Sequence, residues 1–350
     1  MKTKIVYVVT STQNDVYWEQ AWVSAWSLKY HNPSSYVAIV CDDDTKECAQ
    51  NSYRAKSLEL FNEIVPVSFD SSVGNKERSR WLKTNLRNLI RGNYLFIDAD
   101  TIITDDLTEI DDFDFNIGMM YDTHKHPCPI PQFFQYYKYV YKTDLPSDAH
   151  YYSSGVIFAK DNDSVKQFYD SWHSNWKLCG DKLGYTDQTP LAKTVLEAGN
   201  PVHALSGIYN CIVGDGIKYL YKAKILHLSN KPWFLPTYFH PFMQAETYQR
   251  IKDYQDIPEN IKNLALNCKS EFTEVSAPLG INEANFLRFS IIHDCLYPIY
   301  NKNRKLFLTI DKITFAVYRR VILVYYKFRK LKRWMGKKLT MNINDEKTNR

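Results

Sequence analysis

The stretch "NYLFIDADTII", residues 93–103, decides how this chain is read. An apolar run, Tyr94 to Ile97, ends in two acids one residue apart, Asp98 and Asp100, with Ala99 between them. Side chains at i and i+2 of an extended segment leave on the same face, so both carboxylates are expected to enter one space. Like charges that close repel, and burial adds a desolvation cost. A divalent cation reverses the sign of the problem. The carboxyl end of a strand is also where open α/β sheets bind their ligands.

Upstream, "KIVYVV" (4–9) reads as a strand and "WEQAWVSAWSLKYHNP" (18–33) as a helix stopped by Pro33. "YVAIVCDDDT" (36–45) is a second buried strand ending in acids, and Asp44 followed by Glu47 has capping-box spacing for the next helix. A third strand, "EIVPVSF" (63–69), precedes a helix around 77–91. Strands alternating with helices predict a mostly parallel α/β sheet, with the first hundred residues as a Rossmann-type half. Downstream, "FNIGMMYD" (115–122) and "YYSSGVIFAK" (151–160) are further strands, and a helix runs from about Asp163 to Trp176. Residues 242–300 give mixed helical patterns without readable chemistry.

At 350 residues, 45% of them hydrophobic, the chain has ample core material for one large domain with an appendage or two modest domains. The apolar run Ile5 to Val9 is too short for a signal peptide or a membrane span, so a cytoplasmic location is expected. Seven cysteines, scattered and without a C-x-x-C pair, indicate neither a disulfide framework nor a structural zinc site. The net charge of +5 is unevenly spread: residues 1–301 carry 29 Lys and Arg against 36 Asp and Glu, while 302–338 carry 13 against one.

Several other residues carry candidate chemistry. Arg80, Lys83 and Arg87 recur at helical spacing opposite Leu82 and Leu86, as a basic stripe for a diphosphate or as a solvated face. In "LGYTDQTPLAK" (183–193), Asp187 and Gln188 stand before a helical pattern, facing a pocket or capping the helix. "KILHLSNKPW" (224–233) places His227 at a strand end, an imidazole that manganese accepts alongside oxygen ligands. The triplet Asp42 to Asp44 reads as a strand end with a helix cap. "THKHPCP" (123–129) holds His124, His126 and Cys128, types that bind zinc, but with no fourth ligand nearby and a proline on each side of Cys128 it reads as a loop following Asp122.

In this order, "YLFIDADTII", "YYSSGVIFAK", "TDQTPL" and "HLSNKPW" resemble the motifs of the family 8 glycosyltransferases, retaining enzymes of the GT-A fold, over roughly residues 4–235. The resemblance implies that Asp98, Asp100 and His227 hold Mn2+ or Mg2+ bridging the phosphates of a UDP-sugar. It places Lys231 on the diphosphate, one of Arg78, Arg80 or Lys83 on the donor, and Thr10 and Ser11 at the nucleotide. Asp187 would hold sugar hydroxyls and Gln188 would lie beneath the anomeric carbon, with Ala99, Ser153 and Ser154 lining the donor. Ser153 stands where the family has Asn, Thr10 where relatives often have an acid, and Thr189 where many have a second Asp, which leaves the sugar open.

From Ile310, the residues Ile313, Val317, Val321, Val324, Phe328, Leu331 and Met335 follow steps of three and four, with Arg319, Arg320, Lys327, Lys330 and Lys332 among them. A basic amphipathic helix over 302–338 is expected, lying on an anionic membrane surface, and a nucleic-acid arm is not. The expected organisation is a catalytic domain over 1–240, a helical or irregular extension over 241–301, the basic helix and a polar tail over 339–350. The expected activity is metal-dependent, retaining transfer of galactose or glucose from a UDP-sugar to a cell-surface glycan or lipopolysaccharide precursor. The alternatives are an inverting transferase with Asp187 as base and a silent glycan-binding or scaffold protein of the same fold.

Overall fold

The computed structural model describes residues 1–229, 240–272, 291–317 and 320–321, and the chain divides into two units, 1–285 and 286–350. In the first unit, β1 (Lys4–Val9), β2 (Val37–Asp42), β3 (Glu63–Val67) and β4 (Tyr94–Ile97) pair in parallel, as the alternation of strands and helices predicts. With β6 (Ile117–Tyr121), β7 (Tyr152–Ala159) and β8 (Val202–Ala204) they form a seven-stranded sheet in the order β3-β2-β1-β4-β7-β6-β8. Only β7 runs against the others.

Both faces of this sheet are covered. Ile5, Tyr7 and Val9 pack beneath Trp18, Ala21, Ala25 and Leu28 of α1 (Tyr17–His31). Val6 and Val8 pack on the other face against Leu82 of α3 (Asn75–Thr84), Trp172 of α6 (Asp163–Cys179) and Leu191 of α7 (Gln188–Glu197). This two-sided burial is why the strands read as continuous apolar runs. Asn162 caps α6 by accepting from the Val165 amide at 3.0 Å.

A second sheet of three strands, β5 (Thr101–Ile103), β10 (Ile225–His227) and β9 (Cys211–Ile212) in that order, follows the end of β4. β5 pairs antiparallel with β10, Thr101 opposite His227, and β9 pairs parallel with β10. Residues 240–272 belong to the core around this sheet. Tyr248 and Ile251 of α8 (Ala245–Tyr254), Ile261 of α9 (Glu259–Leu266) and Phe242 bury Trp22, Ile102 and Leu226.

Three local expectations are corrected. The segment around Asp98 is not one extended strand: the chain leaves β4, turns through 98–100 and enters a different sheet as β5. The cap of α2 (Asp43–Gln50) is Asp42, which accepts from the Thr45 amide at 3.0 Å, so Asp44 already lies inside the helix. The helix expected over 77–91 is two, α3 and α4 (Leu86–Leu89), broken at Asn85.

In the second unit, α10 (Ile291–Lys302) is followed by Asn303, whose side chain accepts from the Leu306 amide at 3.1 Å and caps a helical run over 304–317. Ile313, Val317 and Val321, four residues apart, are each more than half exposed. Val324 to Met335 and the polar tail lie outside the described residues. Among those described, no helix is long and apolar enough to cross a membrane.

Candidate active site

The site is built where β4 hands the chain from one sheet to the other. Its turn is fixed by a chain of buried hydroxyls. Thr101 Oγ1 donates to the Asp98 carbonyl at 2.8 Å, which leaves Ser24 Oγ to donate to Thr101 Oγ1 at 2.9 Å and Tyr7 to donate to Ser24 at 3.0 Å. The Asp98 amide donates to the Gly155 carbonyl and the Leu228 amide to the Asp100 carbonyl, each at 2.9 Å. The two acids therefore converge by a turn held from three sides.

Pairing of β5 with β10 brings His227 to them. Asp98, Asp100 and His227 each offer a ligand atom within 4.8 Å of the others, and among the described residues this is the one such cluster. Two carboxylate oxygens and one imidazole nitrogen suit a hard divalent cation such as Mn2+ or Mg2+. The orientation of His227 is set by Asn210. Asn210 Nδ2 donates to Ser153 Oγ at 3.1 Å, which turns its Oδ1 toward His227 Nδ1 at 2.9 Å. Because Oδ1 can only accept, Nδ1 carries a hydrogen, and the other ring nitrogen, Nε2, faces Asp100 Oδ1 3.2 Å away. A carboxylate oxygen and an imidazole nitrogen this close share either a proton or a cation, and with Asp98 beside them the donor set fits a divalent metal. Gly155 leaves the room: a Cβ there would stand 2.5 Å from His227 Cε1 and 3.3 Å from Asp98 Oδ2.

A second group adjoins the first. Asp187 stands at the N-cap position just before α7, yet its side chain makes no capping hydrogen bond. It faces Lys83 Nζ at 3.0 Å and Ser154 Oγ at 2.7 Å, and Arg80 Nε at 3.2 Å as an ion pair without hydrogen-bond alignment. Burial by itself pushes the Asp187 carboxyl up, but Lys83, Arg80 and the Ser154 hydroxyl overcome it and hold the group well below the usual carboxylate range. Lys83 also reaches Asp98 Oδ1 at 3.1 Å. Burial dominates at Asp98 and pushes its carboxyl up; Lys83 pulls it back and Asp100 pushes it further up. Gln188 Nε2 donates to the buried Asp122 carboxylate.

The remaining expected residues are placed as follows. Arg78 lies at the end of β2, 3.0 Å from Asp42 and 2.6 Å from Asp44, so Arg80 and Lys83 are the cations of α3 that meet Asp187. Arg87, beyond the helix break, leaves the stripe to bond the Gly92 carbonyl at 2.9 Å and stack on Tyr94. Thr10 and Ser11 follow β1: the Thr10 hydroxyl donates to the Asn75 carbonyl at 3.0 Å, and the Ser11 amide to Thr45 Oγ1 at 2.7 Å. Ala99 sits half-buried in the turn. Lys231, with Pro232 and Trp233, lies outside the described residues. Asp100 also lines a cavity of about 580 Å³ with Asn14, Asp15, Tyr17, Gln20 and Gln249. Asn210 and Tyr17 carry no sequence signal of a role. The pairing of Asn210 with His227, 17 residues on, exists only through β9 and β10.

No sequence-family model and no curated protein matches the chain. Solved structures do. The apo form of mouse xyloside xylosyltransferase 1 matches with a TM-score of 0.43 at 13% identity, over 65% of this chain and 97% of that one. The galactosyltransferase LgtC, solved with donor and acceptor sugar analogs, matches with a TM-score of 0.46 at 14% identity, over 75% and 99%. The glycosyltransferase GlyE of Streptococcus pneumoniae matches with a TM-score of 0.45 at 14% identity, over 80% and 66%. At these identities the likeness is one of fold.

Proposed function

We propose that the chain is a metal-dependent, retaining glycosyltransferase that moves a hexose, galactose or glucose, from a UDP-sugar to a glycan or glycolipid acceptor. The observation that carries this reading is the meeting of Asp98, Asp100 and His227 beside a second, oppositely built group of Lys83, Arg80 and Asp187. A bound Mn2+ or Mg2+ would act as a Lewis acid on the diphosphate as it leaves the anomeric carbon. Lys83 and Arg80 stand where they add positive charge on the same side, and electrostatic stabilisation aimed at developing charge usually contributes most to the acceleration of such reactions. Asp187, kept ionised, accepts hydrogen bonds from sugar hydroxyls.

An inverting enzyme needs a base that takes the acceptor proton. Asp187, held by two cations, is a poor one, and Gln188 is not a base at all. Both favour retention, with the leaving phosphate receiving the acceptor proton on the same face. Asp122, bonded to Gln188, marks the acceptor side.

The deciding experiment is UDP release from a panel of UDP-sugars with Mn2+, for the wild type and Asp100→Asn. Hydrolysis of one donor, abolished by EDTA and reduced at least ~100-fold in the variant, is the expected result, in keeping with loss of a metal's charge stabilisation. A folded protein that binds Mn2+ but turns over no UDP-sugar, even with glycolipid acceptors, contradicts the reading.

The basic segment 302–338 is proposed to hold the enzyme on an anionic membrane surface, its exposed Ile313, Val317 and Val321 at the acyl boundary. The full chain is expected to sediment with vesicles containing anionic lipid, to ignore zwitterionic ones and to be released by salt.

A further inference from the structure

Lys83 ends between the two halves of the site. Its ammonium stands 3.1 Å from Asp98 Oδ1, 3.0 Å from Asp187 Oδ2 and 3.3 Å from Ser154 Oγ, and 4.9 Å above the Phe96 ring. The side chain is only 3% exposed. An ammonium has three hydrogens, and these three acceptors account for them. One of the three is also a member of the Asp98, Asp100 and His227 cluster.

A divalent cation on that cluster and the Lys83 ammonium are like charges competing for one carboxylate in a site largely shielded from water, where such repulsion is strong. Lysine is a compact charge on a flexible stem, so it can yield where a planar guanidinium held at two points would not. It is not stranded when it yields, because Asp187 and Ser154 remain on its other side. Arg80 is placed differently: its ion pair is with Asp187 and not with Asp98, and its side chain is a third exposed.

We propose that Lys83 is the resident counter-ion of Asp98 which an arriving divalent cation displaces, so that cation and donor diphosphate bind cooperatively through this one ammonium. The inference rests on the metal-dependent reading above. Without nucleotide, Lys83 holds Asp98 and weakens cation binding. With a diphosphate present, the ammonium acquires another anion, Asp98 is freed and the cation binds more tightly. The coupling is reciprocal, since what the nucleotide does for the cation the cation does for the nucleotide.

The test uses the full chain and Mn2+ alone, with free Mn2+ followed by its paramagnetic resonance signal, and is then repeated with UDP. Lys83→Gln is expected to bind Mn2+ on the order of tenfold more tightly than wild type without nucleotide, a usual size for coupling between sites, and to gain much less from UDP. Lys83→Arg, which keeps the charge, is expected to retain weak nucleotide-free binding. A folded Lys83→Gln protein that binds Mn2+ no more tightly than wild type overturns the proposal. If that variant does not fold, the wild type labelled with 15N at its lysine ammonium groups decides. The Lys83 signal, identified by its absence in Lys83→Arg, is expected to move as Mg2+ is added, and a signal unmoved at saturation overturns the proposal. The two readings fail differently. If the wild type binds no Mn2+ and Asp100→Asn changes nothing, the metal-dependent function falls and Lys83 with it; if Mn2+ binds through Asp100 and only Lys83→Gln is neutral, the counter-ion role alone falls.

Discussion

At position 155 a single methyl group tests the site. Gly155 lies in β7 with ordinary strand geometry, so the need for glycine there is one of space: an added Cβ would be 2.5 Å from Cε1 and 2.7 Å from Nδ1 of His227. The ring cannot swing aside without leaving Asn210, which holds it at 2.9 Å. Gly155→Ala is therefore expected to weaken Mn2+ binding by ~10- to 100-fold, the usual effect of disturbing the support of a metal ligand, with the fold intact by circular dichroism. At the same scale, the environment of Asp187 separates the two readings that its sequence position allowed. A helix cap accepts from its own helix, whereas this carboxylate faces Lys83, Arg80 and Ser154.

Among the elements, the short strand β5 does the most for the site, and three residues of sequence cannot announce it. Its placement depends on Thr101, which joins the turn to α1 through Ser24 and lies opposite His227. Thr101→Val keeps the shape and removes the hydroxyl, leaving the buried Ser24 hydroxyl without its acceptor. A loss of ~1–3 kcal/mol in urea unfolding is expected, the cost of an unsatisfied buried polar group. A severalfold weaker Mn2+ titration is expected with it, because the turn that presents Asp98 loosens. The break between α3 and α4 is a second decision made at this scale. It turns Arg87 to the Gly92 carbonyl and leaves Lys83 at the last turn of α3, facing the site.

For the whole molecule, acid stability follows from how residues 240–272 are seated. His240 is fully buried, its Nε2 donating to the Cys268 carbonyl at 2.9 Å, and burial pushes its pKa down to about 4. His173, beside Trp81 and bonded to Thr84, is likewise pushed down by burial to about 4. Above pH ~6.5 both imidazoles are neutral whether the chain is folded or not, and stability is complete. Between ~6.5 and 4 the unfolded chain takes up protons that the folded one refuses, so stability falls as pH falls through that window. His240→Gln, which preserves a donor, is expected to remove about 1–3 kcal/mol of the difference between urea unfolding at pH 7 and at pH 4.5, an order-of-magnitude figure from the size of the shift. An unchanged pH dependence would show that His240 is not the titrating group.

The parallel half of the sheet was legible because strands buried on both faces must be continuous apolar runs, and "KIVYVV", "YVAIV" and "YLFI" are such runs. Asp98, Asp100, Asp187, Gln188 and His227 could be named from the sequence as candidates, since few side chains can bind a cation or hold a hydroxyl. What joins them was not legible. The convergence of the two acids comes from a turn between sheets instead of one strand face, and the partnership of Asn210 with His227 comes from pairing across 17 residues. Which of Arg78, Arg80, Lys83 and Arg87 stand beside Asp187 comes from where a helix breaks and which acid each cation meets. By itself the sequence determined the local periodicity and the chemical types available, because both are properties of neighbours along the chain. Only the tertiary structure decided which charges share a space, because electrostatic energy depends on distances and burial that the chain acquires when it folds.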